Sequence, residues 1–315
     1  MKRYKRQFLG LEREYTDLES AAVAILPVPF EGGVSYGKGT AQGPDAVIDA
    51  SHYLELYDEV LKIEAHRMGI VTVAPPEIAP DSDSAAVAQQ IRECVLELLH
   101  SGKFVVLLGG DHSVSLGNVQ ALQRAYSRLS VVQLDAHADL RDTYEGSPYS
   151  HACIMSRIRE ITPNTLQIGV RSMSAAEAER IRNEKIDVCT LSDYRLGRSD
   201  TTVAVDRLPE PLYITVDVDV FDWSIVRSTG TPEPGGMLWD ETLALLENIF
   251  RCKNVVGFDV VELAYGADDR NSAFAVAKLI YKMLGFKLSS AVKRGLTDWP
   301  RAPRGPLFGN SKRVI

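Results

Sequence analysis

The sequence predicts an α/β protein: one three-layer, doubly wound domain in which about eight mainly parallel strands carry helices on both faces. Short apolar runs rich in β-branched residues recur along the chain, and longer amphipathic stretches separate them. No internal repeat, low-complexity segment or long Gly/Ser linker marks a boundary. At 315 residues the chain is about twice the length of an ordinary domain. Without a linker, one large α/β unit is a better reading than two domains.

Taken in order, an apolar run at 22–28 opens the sheet and an amphipathic stretch at 44–56 follows it. The run at 69–73 leads to a long helical pattern over 84–100, then to a strand at 104–108 and a helix at 116–127. Next come strand 131–134, helix 151–160, strand 165–168, helix 175–183 and strand 186–189. Strand 212–216, helix 239–251, strand 255–260 and helix 272–282 complete the set. Continuous apolar runs suit strands of a parallel sheet buried under two helical layers.

Composition narrows the function classes. Hydrophobic residues make up 45% and charged residues 24%, which excludes collagenous, disordered and membrane-embedded chains. Lys and Arg total 35 against 42 Asp and Glu, and the net −7 has the wrong sign for a nucleic-acid or anionic-membrane binder. A cationic partner fits better. From 287 onward the balance reverses, with Lys287, Lys293, Arg294, Arg301, Arg304, Lys312 and Arg313 against Asp298. The widely spaced Cys94, Cys153, Cys189 and Cys252 read as reduced, buried thiols. The basic start MKRYKRQ runs into the charged stretch 12–19 where a signal peptide needs an apolar core, and no run approaches the roughly 20 residues of a membrane span. A cytoplasmic location is expected.

Open α/β sheets bind ligands outside the carboxyl ends of their strands, so polar signals should follow the apolar runs. They do. Asp135-Ala136-His137-Ala138-Asp139 follows 131–134, and in extended chain its acceptor side chains, two apart, converge on one side while the alanines pack on the other. Asp217 and Asp219 repeat the pattern after 212–216, with Asp222 close behind. Like charges crowded at a buried strand end would repel and take up protons unless a multivalent cation held them ionised. An EF-hand is excluded, because the loop lacks its Gly and its terminal Glu. His112, in Gly109-Gly110-Asp111-His112-Ser113, is aimed by a glycine turn into the same crevice, with Asp111 expected to hold its ring. His151 is another histidine in a candidate site segment, whereas His52, His66 and His100 sit in helix-like or linking stretches and receive no role. His112, His137, Asp135, Asp139, Asp217 and Asp219 form an oxygen-rich ligand set without Cys, more than one tetrahedral zinc needs and suited to two divalent ions bridged by carboxylates, manganese first among them. Such a pair lowers the pKa of water between the ions toward about 7, which is the chemistry of metal-assisted hydrolysis.

These segments, in this order, resemble the ureohydrolase family of arginases, agmatinases and formimidoylglutamases, and agmatinases most. The likeness rests on Gly37-Lys38-Gly39-Thr40 with Gly43-Pro44, GGDHS, DAHAD, Tyr149-Ser150-His151, DVDVFD, Thr229-Gly230-Thr231-Pro232 with Pro234-Gly235-Gly236, and Gly257 to Glu262. It implies an arginase-like fold, with 1–286 as the catalytic domain and 287–315 as a basic extension, loosely ordered or packed on a neighbouring subunit. It implies two manganese ions per chain: His112 and Asp139 complete one site, His137 and Asp219 the other, and Asp135 and Asp217 bridge them. A hydroxide between the metals attacks the guanidinium carbon, with Asp139 orienting it, Glu262 holding the guanidinium and His151 shuttling the proton. Trimeric or hexameric assembly is the family habit.

Three departures bear on this resemblance. Asp222-Trp223 and Val226-Arg227-Ser228 stand where the family has Asp-Pro and Ala-Pro-Gly, Ala152 follows the shuttle histidine in place of Gly, and the basic tail exceeds the family core. The loop Leu140 to Ser150 lacks the Asn that arginases use to recognise an amino acid. Its Asp142 and Glu145 would meet a distal ammonium and repel a carboxylate, while Arg141 could pair with one. The expected function is therefore hydrolysis of agmatine to urea and putrescine in polyamine synthesis. The alternatives are a ureohydrolase for guanidinobutyrate, arginine, aminopropylagmatine or formiminoglutamate, and a catalytically silent regulatory relative.

Overall fold

The computed structural model of the protein describes residues 1–79, 81–266 and 268–293. Within it β1 (Val23–Val28), β2 (Ile70–Thr72), β3 (Phe104–Gly109), β4 (Ser130–Leu134), β5 (Thr165–Val170), β6 (Asp187–Thr190), β7 (Leu212–Asp217) and β8 (Val255–Val261) pair in parallel as one sheet. Their order is β2-β1-β3-β8-β7-β4-β5-β6. Every residue of β1, β3, β4, β5, β7 and β8 is buried, as a sheet covered on both faces requires. One face carries α1 (Gly43–Ser51), α6 (Leu191–Arg195), α7 (Thr201–Arg207), α8 (Trp239–Cys252) and α9 (Arg270–Lys293). The other carries α2 (Ser84–His100), α3 (Ser115–Ala125), α4 (Ile154–Ile161) and α5 (Ala175–Glu184).

Each expected strand is present within a residue or two, because a continuous β-branched run has few other ways to be buried. The helices depart more. Segments 191–195 and 201–207 are helical though the sequence pattern did not predict them: Thr190 and Asp200 cap them, their side chains accepting from the backbone N–H of Asp193 and Val203. Helix α9 passes the expected end at 282 and reaches Lys293. Gly285 lies inside it, where an added Cβ would come 2.9 Å from Leu61 Cδ1, so this glycine admits the 58–63 turn and does not end the helix. Lys287 belongs to the same helix, buried, its Nζ donating to Val255 O at 2.7 Å. The rest of the expected basic extension, 294–315, lies outside the described residues.

Candidate active site

The four central strands β3, β8, β7 and β4 present their carboxyl ends side by side, and the polar segments follow directly from them. Leu134 pairs with Val216, so the next residues, Asp135 and Asp217, emerge together, and Asp217 in turn pairs with Val261, which precedes Glu262. Gly110 has to be glycine: a Cβ there would lie 1.9 Å from Phe30 O. The turn it makes delivers His112 into a short 3-10 helix and lets Glu262 N donate to Gly110 O at 2.8 Å. Asp139 and Glu262 hold left-handed backbone conformations, φ 51° and 67°, uncommon without glycine and concentrated at functional sites.

The acceptor atoms converge. His112 Nδ1 lies 3.1 Å from Asp135 Oδ2, 3.3 Å from Asp139 Oδ2 and 3.4 Å from Asp217 Oδ2. His137 Nδ1 lies 2.8 Å from Asp219 Oδ2 and 3.6 Å from Asp135 Oδ1. The two oxygens of Asp135 thus face one imidazole each. Two groups, His112/Asp135/Asp139 and Asp135/His137/Asp219, each bring their ligand atoms within 4.8 Å of one another. Among the described residues His112 Nδ1 and Asp219 Oδ2 are buried with no hydrogen-bond partner, and the short approach of His137 to Asp219 lacks hydrogen-bond direction. With metal–oxygen bonds of about 2.1 Å, adjacent corners of an octahedron stand about 3 Å apart, so these contacts match the edges of two coordination shells. The residues fit a pair of divalent ions.

Electrostatics point the same way. Burial, then Asp219 and Asp135, hold the Asp217 carboxyl well above the usual carboxylate range. Burial and Asp135 raise Asp139 to about 7. Burial opposes charge on His137, but the adjacent carboxylates of Asp135 and Asp219 push it up to about 12. Burial likewise opposes the charge of Asp135, yet His112 and His137 draw it below its ordinary value. Carboxylates this close are stable together as anions only against added positive charge.

His137, Asp139 and Asp217 line a cavity of about 280 Å³ together with Ser35, Arg141, Tyr144, His151, Ser174 and Glu177. His151 opens a 3-10 helix, and its buried Nε2 has no hydrogen-bond partner among the described residues. Burial, then His112 and His137, lower its pKa to about 4. Tyr144 meets its ring edge-on at 6.1 Å, and the Arg141 guanidinium lies over Tyr144 at 5.1 Å. Glu262 is buried and is not among the residues that line the cavity; its Oε1 accepts from His112 N–H at 2.7 Å. In the altered loop Asp222 folds into a turn with Ser224, and Ser228 Oγ donates to Asp269 at 2.7 Å.

Asp142 and Glu145 are not brought to this cavity. The Asp142 side chain, 82% exposed, accepts from Arg180 at 3.0 Å in an adjoining groove. Glu145 and Gly146, both with positive φ, form the exposed tip of a two-residue turn closed by mutual backbone bonds of Tyr144 and Ser147. Asp111 does not hold the His112 ring: its oxygens accept from Gly33 N–H at 2.8 Å and Ser113 N–H at 3.0 Å, while His112 Nε2 faces Thr215 Oγ1 at 2.9 Å. Sequence reasoning missed Glu177, which clasps Ser174 and the Leu140 N–H at the cavity wall. The S-x-x-E spacing signalled only a helix start.

The arginase family profile matches residues 21–285. The chain is 38% identical over 291 residues to the N(1)-aminopropylagmatine ureohydrolase of Synechocystis sp., covering 89% of this chain and 94% of that one. It is 34% identical over 286 residues to an agmatinase of Pyrococcus horikoshii, covering 90% and 98%. Its fold superposes on the agmatine ureohydrolase of Thermoplasma volcanium with a TM-score of 0.81 at 28% identity, over 93% and 96% of the two chains. Sheet order, clustered imidazoles and carboxylates, and these likenesses converge: the chain belongs to the arginase family and is a ureohydrolase, acting on the C–N bonds of amidino groups.

Proposed function

We propose that this ureohydrolase cleaves the guanidino group of agmatine, or of a longer amine built on agmatine, releasing urea and putrescine or the corresponding polyamine. The observation that carries the reading is the pair of ligand groups sharing Asp135 beneath a cavity lined by His137, Asp139 and Asp217. In this reading His112 and Asp139 would hold one manganese ion and His137 and Asp219 the other, with Asp135 and Asp217 serving both. When bound, the two ions lower the pKa of water between them and supply the nucleophile.

The rest is done by side chains. Glu262 holds the guanidinium through paired hydrogen bonds, and the cation in turn favours the ionised form that burial opposes. Asp139 accepts a hydrogen bond from the nucleophile and orients it. His151, neutral at pH 7, accepts the released proton and passes it to the leaving amine, with Tyr144 packed against its ring.

A specific observation favours the longer substrate. Arg141, Ser174 and Glu177 line both the cavity and a groove of about 730 Å³ that also holds Asp142, Glu179 and Glu184. An amine tail leaving the cavity past Glu177 enters a groove with four carboxylates, Asp142, Glu177, Glu179 and Glu184, against the two guanidinium groups of Arg141 and Arg180, a net negative balance that matches a second ammonium. The reading includes a cytoplasmic setting and a homo-oligomer of three or six subunits, which fractionation and light scattering test. Urea release from agmatine, N(1)-aminopropylagmatine, arginine and guanidinobutyrate, measured with manganese, tests the substrate: a higher kcat/KM on either guanidino acid than on both amines would sink it. Fewer than two ions per chain with no hydrolysis of any guanidine would favour a silent regulator.

A further inference from the structure

Behind His112, on the side away from the cavity, buried hydrogen bonds run through groups the proposed reaction does not touch. Asn118 Nδ2 donates to Tyr213 Oη at 2.8 Å, and the Tyr213 hydroxyl donates to Asp259 Oδ2. Thr215 Oγ1 lies 2.6 Å from Asp259 Oδ1 and 2.9 Å from His112 Nε2. Asn118, Tyr213, Thr215 and Asp259 are each 0% exposed, out of reach of bulk water.

With Asp259 ionised and the His112 ring neutral, as a cation at Nδ1 would require, the shortest contacts leave one arrangement; Ser115 Oγ, 3.4 Å from Thr215 Oγ1, is the more distant neighbour. A hydroxyl has a single proton to donate. Tyr213 already receives one from the Asn118 amide, so its own proton goes to Asp259. The carboxylate of Asp259 is an acceptor at both oxygens, so the Thr215 proton goes to it as well. Thr215 can then only accept from His112, which places the ring proton on Nε2 and the lone pair on Nδ1, the atom that faces Asp135, Asp139 and Asp217. We infer that Thr215 and Asp259 are positioning residues that fix the tautomer of His112 and so aim its Nδ1 lone pair at the carboxylate cluster. The inference rests on reading His112 as a metal ligand. It adds which atom ligates and what determines that choice, through β7 and β8 and not through the loop that bears His112.

Three variants test it. Thr215→Val removes the hydroxyl at nearly constant shape, and Thr215→Ser restores it. Asp259→Asn presents an amide N–H to Thr215, which turns the hydroxyl to donate toward Nε2 and moves the ring proton to Nδ1. In metal-free protein labelled with 15N-histidine, at a pH high enough to leave the His112 ring neutral, the His112 Nε2–H resonance is expected to be slowly exchanging in the wild type and in Thr215→Ser, and lost in Thr215→Val and Asp259→Asn. Manganese affinity, read from free Mn2+ by electron paramagnetic resonance, should fall about 10–100-fold in Thr215→Val and Asp259→Asn and recover in Thr215→Ser. The double variant Thr215→Val with Asp259→Asn should lose no more than either alone, because the two act in series. A wild-type ring protonated at Nδ1 only, or Thr215→Val with the wild-type resonance and affinity, overturns the inference. If the wild type shows the Nε2–H signal but binds no manganese, the tautomer device stands and the metal reading falls. Should Asp259→Asn fail to fold, the Val and Ser pair decides alone.

Discussion

Arg171 donates through Nη2 to the backbone carbonyl of Asp219 at 2.7 Å, and through the same nitrogen to the carbonyl of Glu233 at 2.8 Å. Its Nε donates to Pro234 O at 3.0 Å. One guanidinium therefore ties the segment bearing a proposed ligand to the 229–236 loop, whose Glu233 lies 3.9 Å from His137 Nε2. Arg171→Ala is expected to weaken manganese binding about 10–100-fold, as loss of support behind a ligand does, and Arg171→Lys to restore little because an ammonium cannot span these carbonyls. Metal titration checks this. Wild-type affinity in both variants would confine Arg171 to folding.

His137→Ala should lower both metal content and urea release, to about one ion per chain, since His112, Asp135 and Asp139 still form a group. Asp135→Ala should lose both ions, because its two oxygens face the two imidazoles separately. Plasma mass spectrometry of manganese-loaded protein gives the counts. Unchanged stoichiometry in His137→Ala would remove His137 from the ligand set.

For His151→Asn the expected pattern is different: kcat falls about 10²–10⁴-fold while metal content stays at the wild-type value. Partial recovery with added imidazole would support a proton-transfer role. A variant with full kcat would end it.

Asp142 sits outside the cavity, so Asp142→Ala should leave agmatine turnover nearly unchanged and raise KM for N(1)-aminopropylagmatine up to about fivefold, the scale of an exposed charge contact. Equal effects on both substrates would argue against a tail running into the groove.

Stability should fall on acidification through a residue remote from the chemistry. Burial holds His66 below its ordinary pKa, and its Nδ1 has no hydrogen-bond partner among the described residues. The unfolded chain then takes up a proton near pH 6.5 that the folded chain resists, so unfolding is favoured as pH falls below that value, by up to about 1.4 kcal/mol per pH unit. His66→Gln should flatten this part of the profile below about pH 6.5 in denaturant titrations. An unchanged slope would assign the acid sensitivity elsewhere.

Much of the candidate site was legible because its chemistry is local. The alternation of DAHAD and DVDVFD at the ends of apolar runs needs no knowledge of the fold to imply convergence, and the parallel register then sets Asp135 beside Asp217. Asp111 was misread because sequence adjacency says nothing about which side of a glycine turn a carboxylate faces; it bonds Gly33 and Ser113 instead of the neighbouring ring. Glu177 and Arg171 left no usable signal, since a capping-box glutamate and a lone arginine occur on many helices and strands without function.

By itself the sequence determined the α/β class, the eight strand-forming runs, the proposed ligand residue types and the crevice in which they would meet, because period, apolarity and ligand chemistry are properties of short segments. The tertiary structure alone decided strand order, which sets the ends of β3, β8, β7 and β4 side by side. It decided that Asp142 faces Arg180 in a groove outside the cavity, and that His112 is backed by Thr215 and Asp259 from two other strands. Those are contacts between segments about 40 to 100 residues apart, and packing of the whole sheet, not local preference, brings them within hydrogen-bond reach.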